Sequence, residues 1–166
     1  MNSNQERSPL CRRFIVCEDG TEYIERFLRF LGDEFEFIAA ADYPALLELL
    51  ELGEAYSGIL LDLDFRRTES ARLVNEHGQS PGRISREALT QYVTNQGLFI
   101  LASLRERGAT QSVLLFADID DAQRHYVERT FGPVEVVPSH VGLRELKTLL
   151  ASCAPRLSLS KAKDPP

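Results

Sequence analysis

Three short stretches of this chain are apolar at every position: Phe14-Ile15-Val16-Cys17, Ile59-Leu60-Leu61 and Val113-Leu114-Leu115-Phe116. A strand with one wet face alternates apolar and polar residues, so a strand without a polar position is covered on both faces. Parallel strands joined by helices that pack above and below the sheet meet that condition. The segments between the runs have the pattern of such helices. Ile24, Phe27, Leu28 and Leu31 recur at spacings of three and four, Gly32 follows as a stop, and Glu25, Arg26 and Arg29 fall outside.

The alternation continues along the chain. Phe35 to Ala40 reads as a second strand, and Asp42 as the cap of a helix with Pro44 in its first turn and Leu46, Leu47, Leu49 and Leu50 on its apolar face up to Gly53. The run from Gly58 to Asp62 is the third strand. Val113 to Ala117 is the fourth, followed by Asp118, Asp120 and a helix over 121–131. Gly132-Pro133 turns the chain into a fifth strand, Val134 to Val137, which ends at Pro138. Leu143, Leu146, Leu149 and Leu150 mark a last helix. Five strands, each followed by a helix, predict an α/β three-layer sandwich around a five-stranded parallel sheet. The flavodoxin-like strand order is a common solution at this size. With 166 residues and 43% hydrophobic content, one domain over 12–154 is expected, with tails at 1–11 and 155–166.

Residues 66–96 interrupt the rhythm. Five arginines (Arg66, Arg67, Arg72, Arg83, Arg86) stand there against three glutamates (Glu69, Glu76, Glu87), a local excess of positive charge in a chain of net −6. The stretch reads as an insertion between the third strand and third helix, with a short helix near Glu69 to Glu76 and a turn at Gly78 to Gly82. A helix then begins near Ser85 and continues through Leu89, Val93, Ile100, Leu101 and Leu104 to Gly108, with Gly97 as the place where it kinks or splits. The opposite charge suggests that the insertion docks on its own acidic edge or on an acidic partner.

The negative net charge argues against an extended phosphate-tracking surface and hence against nucleic acid as the main partner. Cys11, Cys17 and Cys153 form no CxxC pair and leave an odd thiol, which points to a reducing cytoplasm. Neither an apolar signal core nor a run long enough to span a membrane occurs, so a soluble protein retained in the cell is expected.

Chemistry concentrates at strand ends. Asp62-Leu63-Asp64 closes the third strand and Glu18-Asp19 follows the first, and open α/β sheets bind ligands and metals along that edge. Together with Gly97-Leu98 opening the next helix and Val137-Pro138 ending the fifth strand, these residues resemble the receiver domain of bacterial response regulators in two-component signalling. The resemblance covers roughly Arg12 to Ser152. It implies that Glu18 and Asp19 are ligands of Mg²⁺, with Asp62 both ligand and acceptor of a phosphoryl group, and Asp64 is a further acid at the same edge. Mg²⁺ takes oxygen ligands and neutralises charge on a phosphoryl group in transfer.

The departures define the expectation. Where the family has a Thr or Ser at the end of strand four, this chain has Ala117; where it has a Lys before the strand-five proline, this chain has Val137. The insertion replaces a short loop and would lie over the site. The chain therefore resembles a degenerate receiver, or pseudo-receiver. Either it has given up phosphoryl switching and binds protein partners constitutively, or Arg66 or Arg67 substitutes as an anion contact. A solvated Arg66-Arg67 pair bridging to Glu69 explains the same residues. The partner is expected to be a protein, with a homodimer as one form, meeting the stretch Ala117 to Val137 with Tyr126 and Phe131.

Two enzyme families share part of the pattern. Glu18 with Asp62, Asp64 and Asp118 or Asp120 resembles the acidic set of Toprim domains, which implies Mg²⁺-dependent phosphodiester cleavage. Toprim sequences place Gly directly after the Glu, whereas Asp19 intervenes before Gly20. Asp62 to Arg66 also resembles the DxDx(T/V) motif of haloacid-dehalogenase-like phosphatases, with Arg66 at the last position. Among weaker candidates, His140 follows Pro138 and is equally a plain loop residue. His77 and His125 have no metal-site spacing, Ser139 has no base partner, and Asp118, Asp120 and Asp121 suit a helix start.

Overall fold

Every apolar run becomes a strand whose two faces serve two different cores. The computed structural model describes residues 12–157. The expected tail at 1–11, with Cys11, and residues 158–166 of the expected second tail lie outside them. In order, the elements are β1 (Arg12–Cys17), α1 (Glu22–Leu31), β2 (Phe35–Ala40), α2 (Tyr43–Glu51), β3 (Ala55–Tyr56), β4 (Gly58–Asp62) and a 3₁₀ turn at Ser70–Arg72. There follow α3 (Arg86–Thr94), α4 (Gln96–Glu106), β5 (Ser112–Phe116), α5 (Asp121–Phe131), β6 (Val134–Val137), α6 (Leu143–Ser152) and β7 (Arg156–Leu157). The main sheet runs β2-β1-β4-β5-β6, with every pairing parallel. This is the expected flavodoxin-like order, with β4, β5 and β6 as the third to fifth strands of the sequence reading.

Alternate residues divide between the layers. Ile15, Cys17, Ile59, Leu61, Val113 and Leu115 pack with Leu46, Leu50, Ile100 and Leu104 on the side of α2 and α4. Phe14, Val16, Leu60, Leu114 and Phe116 pack with Phe27, Leu146 and Leu150 on the side of α1 and α6. Each such fully buried side chain contributes on the order of 1.5–3 kcal/mol relative to exposure. Leu28, expected on the apolar face of α1, is instead half exposed, because Ile24, Phe27 and Leu31 already fill that contact.

The insertion differs most from expectation. Between Glu69 and Glu76 only the three-residue turn Ser70–Arg72 is helical, and Leu73 leaves it in extended conformation. Tertiary partners outweigh local helix propensity there. The Arg72 guanidinium pairs with Asp42, which also caps α2 through the Ala45 N–H, and Leu73 and Val74 are buried in the α2/α4 core. The Gln96 side-chain amide receives the Val74 N–H and donates to the Val74 carbonyl, both at 3.2 Å, as a strand partner would. His77 then reaches Glu106 at the far end of α4. So the insertion does not lie over the carboxy edge as a whole: it descends between α2 and α4, and α3 brings it back with Tyr92 against Phe99.

The expected long helix is split at Asn95 into α3 and α4, two residues before Gly97. The cause is close packing at that glycine. Its N–H donates to the Leu63 carbonyl at 3.0 Å, and a Cβ there would run into the Asp62 carbonyl oxygen and lie 2.8 Å from Leu63 Cα. Arg156 and Leu157, placed in the tail by the sequence reading, pair antiparallel with β3.

Candidate functional site

Two loops deliver the acids. β1 ends at Cys17 and hands over Glu18 and Asp19, while β4 ends at Asp62, with Leu63 bonded through its N–H to the Phe116 carbonyl. Phe65 is fully buried and its N–H donates to the Val93 carbonyl, which folds the chain after Asp64 back along the edge. The result is an open cleft of about 420 Å³ lined by Glu18, Asp19, Glu22, Tyr23, Asp62, Asp64, Arg66 and Arg67. All the residues expected as metal ligands line this one cleft, as do both arginines expected as anion contacts.

Their side chains are differently engaged. Glu18 is only 4% exposed; its two oxygens accept the N–H groups of Ile24 and Tyr23 at 2.7 and 3.0 Å. It thus caps α1 from outside the helix, where Thr21 makes no side-chain cap, and burial raises its pKa against the lowering by those two N–H groups. Asp19 accepts the main-chain N–H of Arg67 at 2.5 Å. Asp64 pairs with Arg66 at 2.8 Å. Arg67 turns its guanidinium to Glu22, with N···O distances of 2.9 and 2.5 Å, and holds that carboxyl down to about 2.

Asp62 has no such cation. Burial, reinforced by Asp64 and Glu18, pushes its carboxyl up to about 6, against a lowering by the backbone of Asp64 and Leu63. Among the described residues no three His, Cys, Asp or Glu side chains converge to hold a metal ion. The oxygens are of the kind Mg²⁺ takes, but Glu18 faces the helix terminus and Asp19 and Asp64 are bonded to the insertion, so the residues do not fit a preformed Mg²⁺ site. Glu18, Asp62 and Asp64, the set expected of a Toprim-like site, line the same cleft, with Glu18 engaged by α1 and Asp64 by Arg66.

Across the edge, the two substituted positions are apolar and closed. Ala117 is 4% exposed with its N–H on the Val137 carbonyl, and Val137 is 2% exposed. Neither offers a donor toward the cleft. Tyr23, which the sequence reading did not single out, stands on that side, with its ring 4.7 Å from Phe116 and a hydrogen bond to the Ser139 side chain. Ser139 also donates its N–H to Asp118. Asp118 thus ties the loop after β5 to the loop after β6; Asp120 forms a capping box with Gln123, and Asp121 opens α5. These three do not line the cleft. His140 lies near Asp118 and is exposed, and His77 pairs with Glu106 far from the site. A second, apolar groove of about 470 Å³ lies between α4 and α5, lined by Leu98, Ile119, Ala122, Tyr126, Val127 and Phe131 among others.

No family profile matches the chain, and no curated protein sequence does. Solved structures do match in fold. A two-component response regulator from Clostridium difficile aligns with a TM-score of 0.57 at 8% identity, over 85% of this chain and 93% of that one. The chemotaxis protein CheY4 of Vibrio cholerae aligns with a TM-score of 0.57 at 11% identity, over 87% of this chain and 100% of the other. A structure described as adenylate cyclase from Rhodopirellula baltica aligns at 0.54 and 14% identity, over 86% and 87%. At these identities the likeness is one of fold: the chain has the receiver fold, with an insertion between β4 and α4.

Proposed function

We propose that this receiver fold is a pseudo-receiver: a signalling or assembly module that works through protein contacts without a phosphoryl switch. The observation that carries the reading is the pair Ala117 and Val137, both buried and apolar, where a responding site needs a hydroxyl and an ammonium. A phosphoryl group on Asp62 would gain no new donor from β5 or β6, so its arrival would not pull either strand end toward it. The cations nearest the acceptor, Arg66 and Arg67, are already paired with Asp64 and Glu22.

The groove between α4 and α5 supports contact with a protein. It is mainly apolar and half-open, and Tyr126 beside it is 59% exposed, a residue type favoured where one end of a side chain is dry and the other wet. Among the described residues no helix is long and apolar enough to cross a membrane. Cys17 and Cys153 are free buried thiols, which suits the cytoplasm of a bacterial cell as the place of action. In this reading Mg²⁺ has no fixed role, because Asp19 and Asp64, the acids that would share it with Asp62, are engaged by Arg67 and Arg66.

Acetyl phosphate with Mg²⁺, followed by intact-mass measurement, tests the reading. The expected result is no phosphoryl adduct on wild type beyond that on Asp62→Ala. A stoichiometric adduct that Asp62→Ala lacks would overturn it.

A further inference from the structure

We propose that Arg67 is a built-in cation for the acidic cleft, strapping the insertion across the carboxy edge and keeping divalent cations off the carboxylates. The proposal rests on the cleft reading above, in which Glu18, Asp19, Glu22, Asp62 and Asp64 face one opening with Arg66 and Arg67. Two different parts of one residue make the strap. The guanidinium forks onto both oxygens of Glu22 in the first turn of α1, and the main-chain N–H donates to Asp19 Oδ2. Fork and N–H together fix position and orientation, which a single contact on a flexible stem would not.

The seat for the strap is shaped. A Cβ at Gly20 would run into Arg67 Nη1 and Glu22 Oε2, so the ion pair lies directly on bare glycine backbone. From behind, the segment is anchored by Phe65, fully buried with its N–H on Val93, and by the Thr68 N–H on the Phe65 carbonyl. A divalent cation takes several oxygen ligands, with one or more free carboxylates among them. Glu18 caps α1, the Arg67 N–H holds Asp19 and Arg66 holds Asp64, which leaves Asp62 as the cleft acid bound neither to a helix terminus nor to the insertion. Two of the cleft's five acids, Asp64 and Glu22, are therefore offset by a guanidinium from within.

Titration with Mn²⁺ alone, read by calorimetry and by paramagnetic broadening of the Asp62 to Asp64 amides, separates this from simple charge effects. Arg67→Gln removes a positive charge and tightens Mn²⁺ binding in any geometry. Glu22→Gln and Gly20→Ala are the deciding variants. By charge alone the first weakens Mn²⁺ binding and the second leaves it unchanged; if Arg67 is a strap, both release it and tighten binding, by about three- to tenfold for an exposed forked pair. Melting curves establish that all three surface variants are folded. Weaker binding to Glu22→Gln with no change in Gly20→Ala would overturn the proposal, as would absence of Mn²⁺ binding in every variant. A phosphoryl adduct on the wild type would end the pseudo-receiver reading without altering this titration, so the two fail separately.

Discussion

Asp62 is a partly buried carboxylate with Asp64 and Glu18 as like-charged neighbours, and its ionised form is correspondingly costly. Its folded pKa, about 6, lies above the ordinary value of 3.8, so the folded state binds the proton more tightly than the unfolded state. Stability from this group is present in full below about pH 4 and is lost as pH rises through about 6. Asp62→Asn keeps the shape of the side chain and removes the charge. In chelator-treated buffer at pH 7.5 it is expected to stabilise the protein by about 1–2 kcal/mol after allowance for partial exposure, or about 2–6 °C in Tm. The gain should shrink toward zero as the pH falls to about 4.5; a gain that does not depend on pH would contradict the assignment. Gly97 shows the opposite kind of constraint, one of space. Gly97→Ala would push α4 off the backbone of Asp62 and Leu63 and is expected to cost about 1–3 kcal/mol in chemical denaturation, where a helix-favouring Ala at an open position would stabilise.

At the scale of elements, the insertion is held less by its own helices than by what it borrows from α2 and α4. Gln96 is the clearest case, a 2% exposed amide that completes the backbone of Val74. Gln96→Leu leaves both Val74 groups without partners and should cost about 1–3 kcal/mol, with faster hydrogen exchange at Val74 than at the β4 amides. Uniform acceleration across the sheet would show instead that the insertion and core open together. The five strands of the main sheet were legible in the sequence because their apolar runs are local and continuous, and α1, α2, α5 and α6 because spacing and caps are local too; the short β3 and β7 were not. The course of 66–96 was not, since its partners are remote: Arg72 finds Asp42 and Arg67 finds Glu22, 30 and 45 residues away. The acids of the cleft were legible by type and place. Their engagement was not, because nothing in the spacing of Glu18 says that its oxygens turn to the N–H groups of α1, or that Tyr23 reaches Ser139.

Over the whole molecule, the receiver fold brings two groups of residues to one edge, and they have different fates. The acid side, at the ends of β1 and β4, is present and tied to the insertion through Asp19, Glu22 and Asp64. The other side, at the ends of β5 and β6, is apolar, and its loops are fixed to each other by Asp118 and Ser139 and to α1 by Tyr23. In the pseudo-receiver reading proposed above, such a molecule is expected to present the groove between α4 and α5 in one arrangement, whatever happens at Asp62. The most direct test is to record ¹⁵N amide spectra of the wild type and Asp62→Asn with and without acetyl phosphate and Mg²⁺. The expected result is that Ala117, Val137, Ser139 and the amides of α5 keep their positions in both proteins. Movement of those resonances in the wild type, absent in Asp62→Asn, would contradict the account.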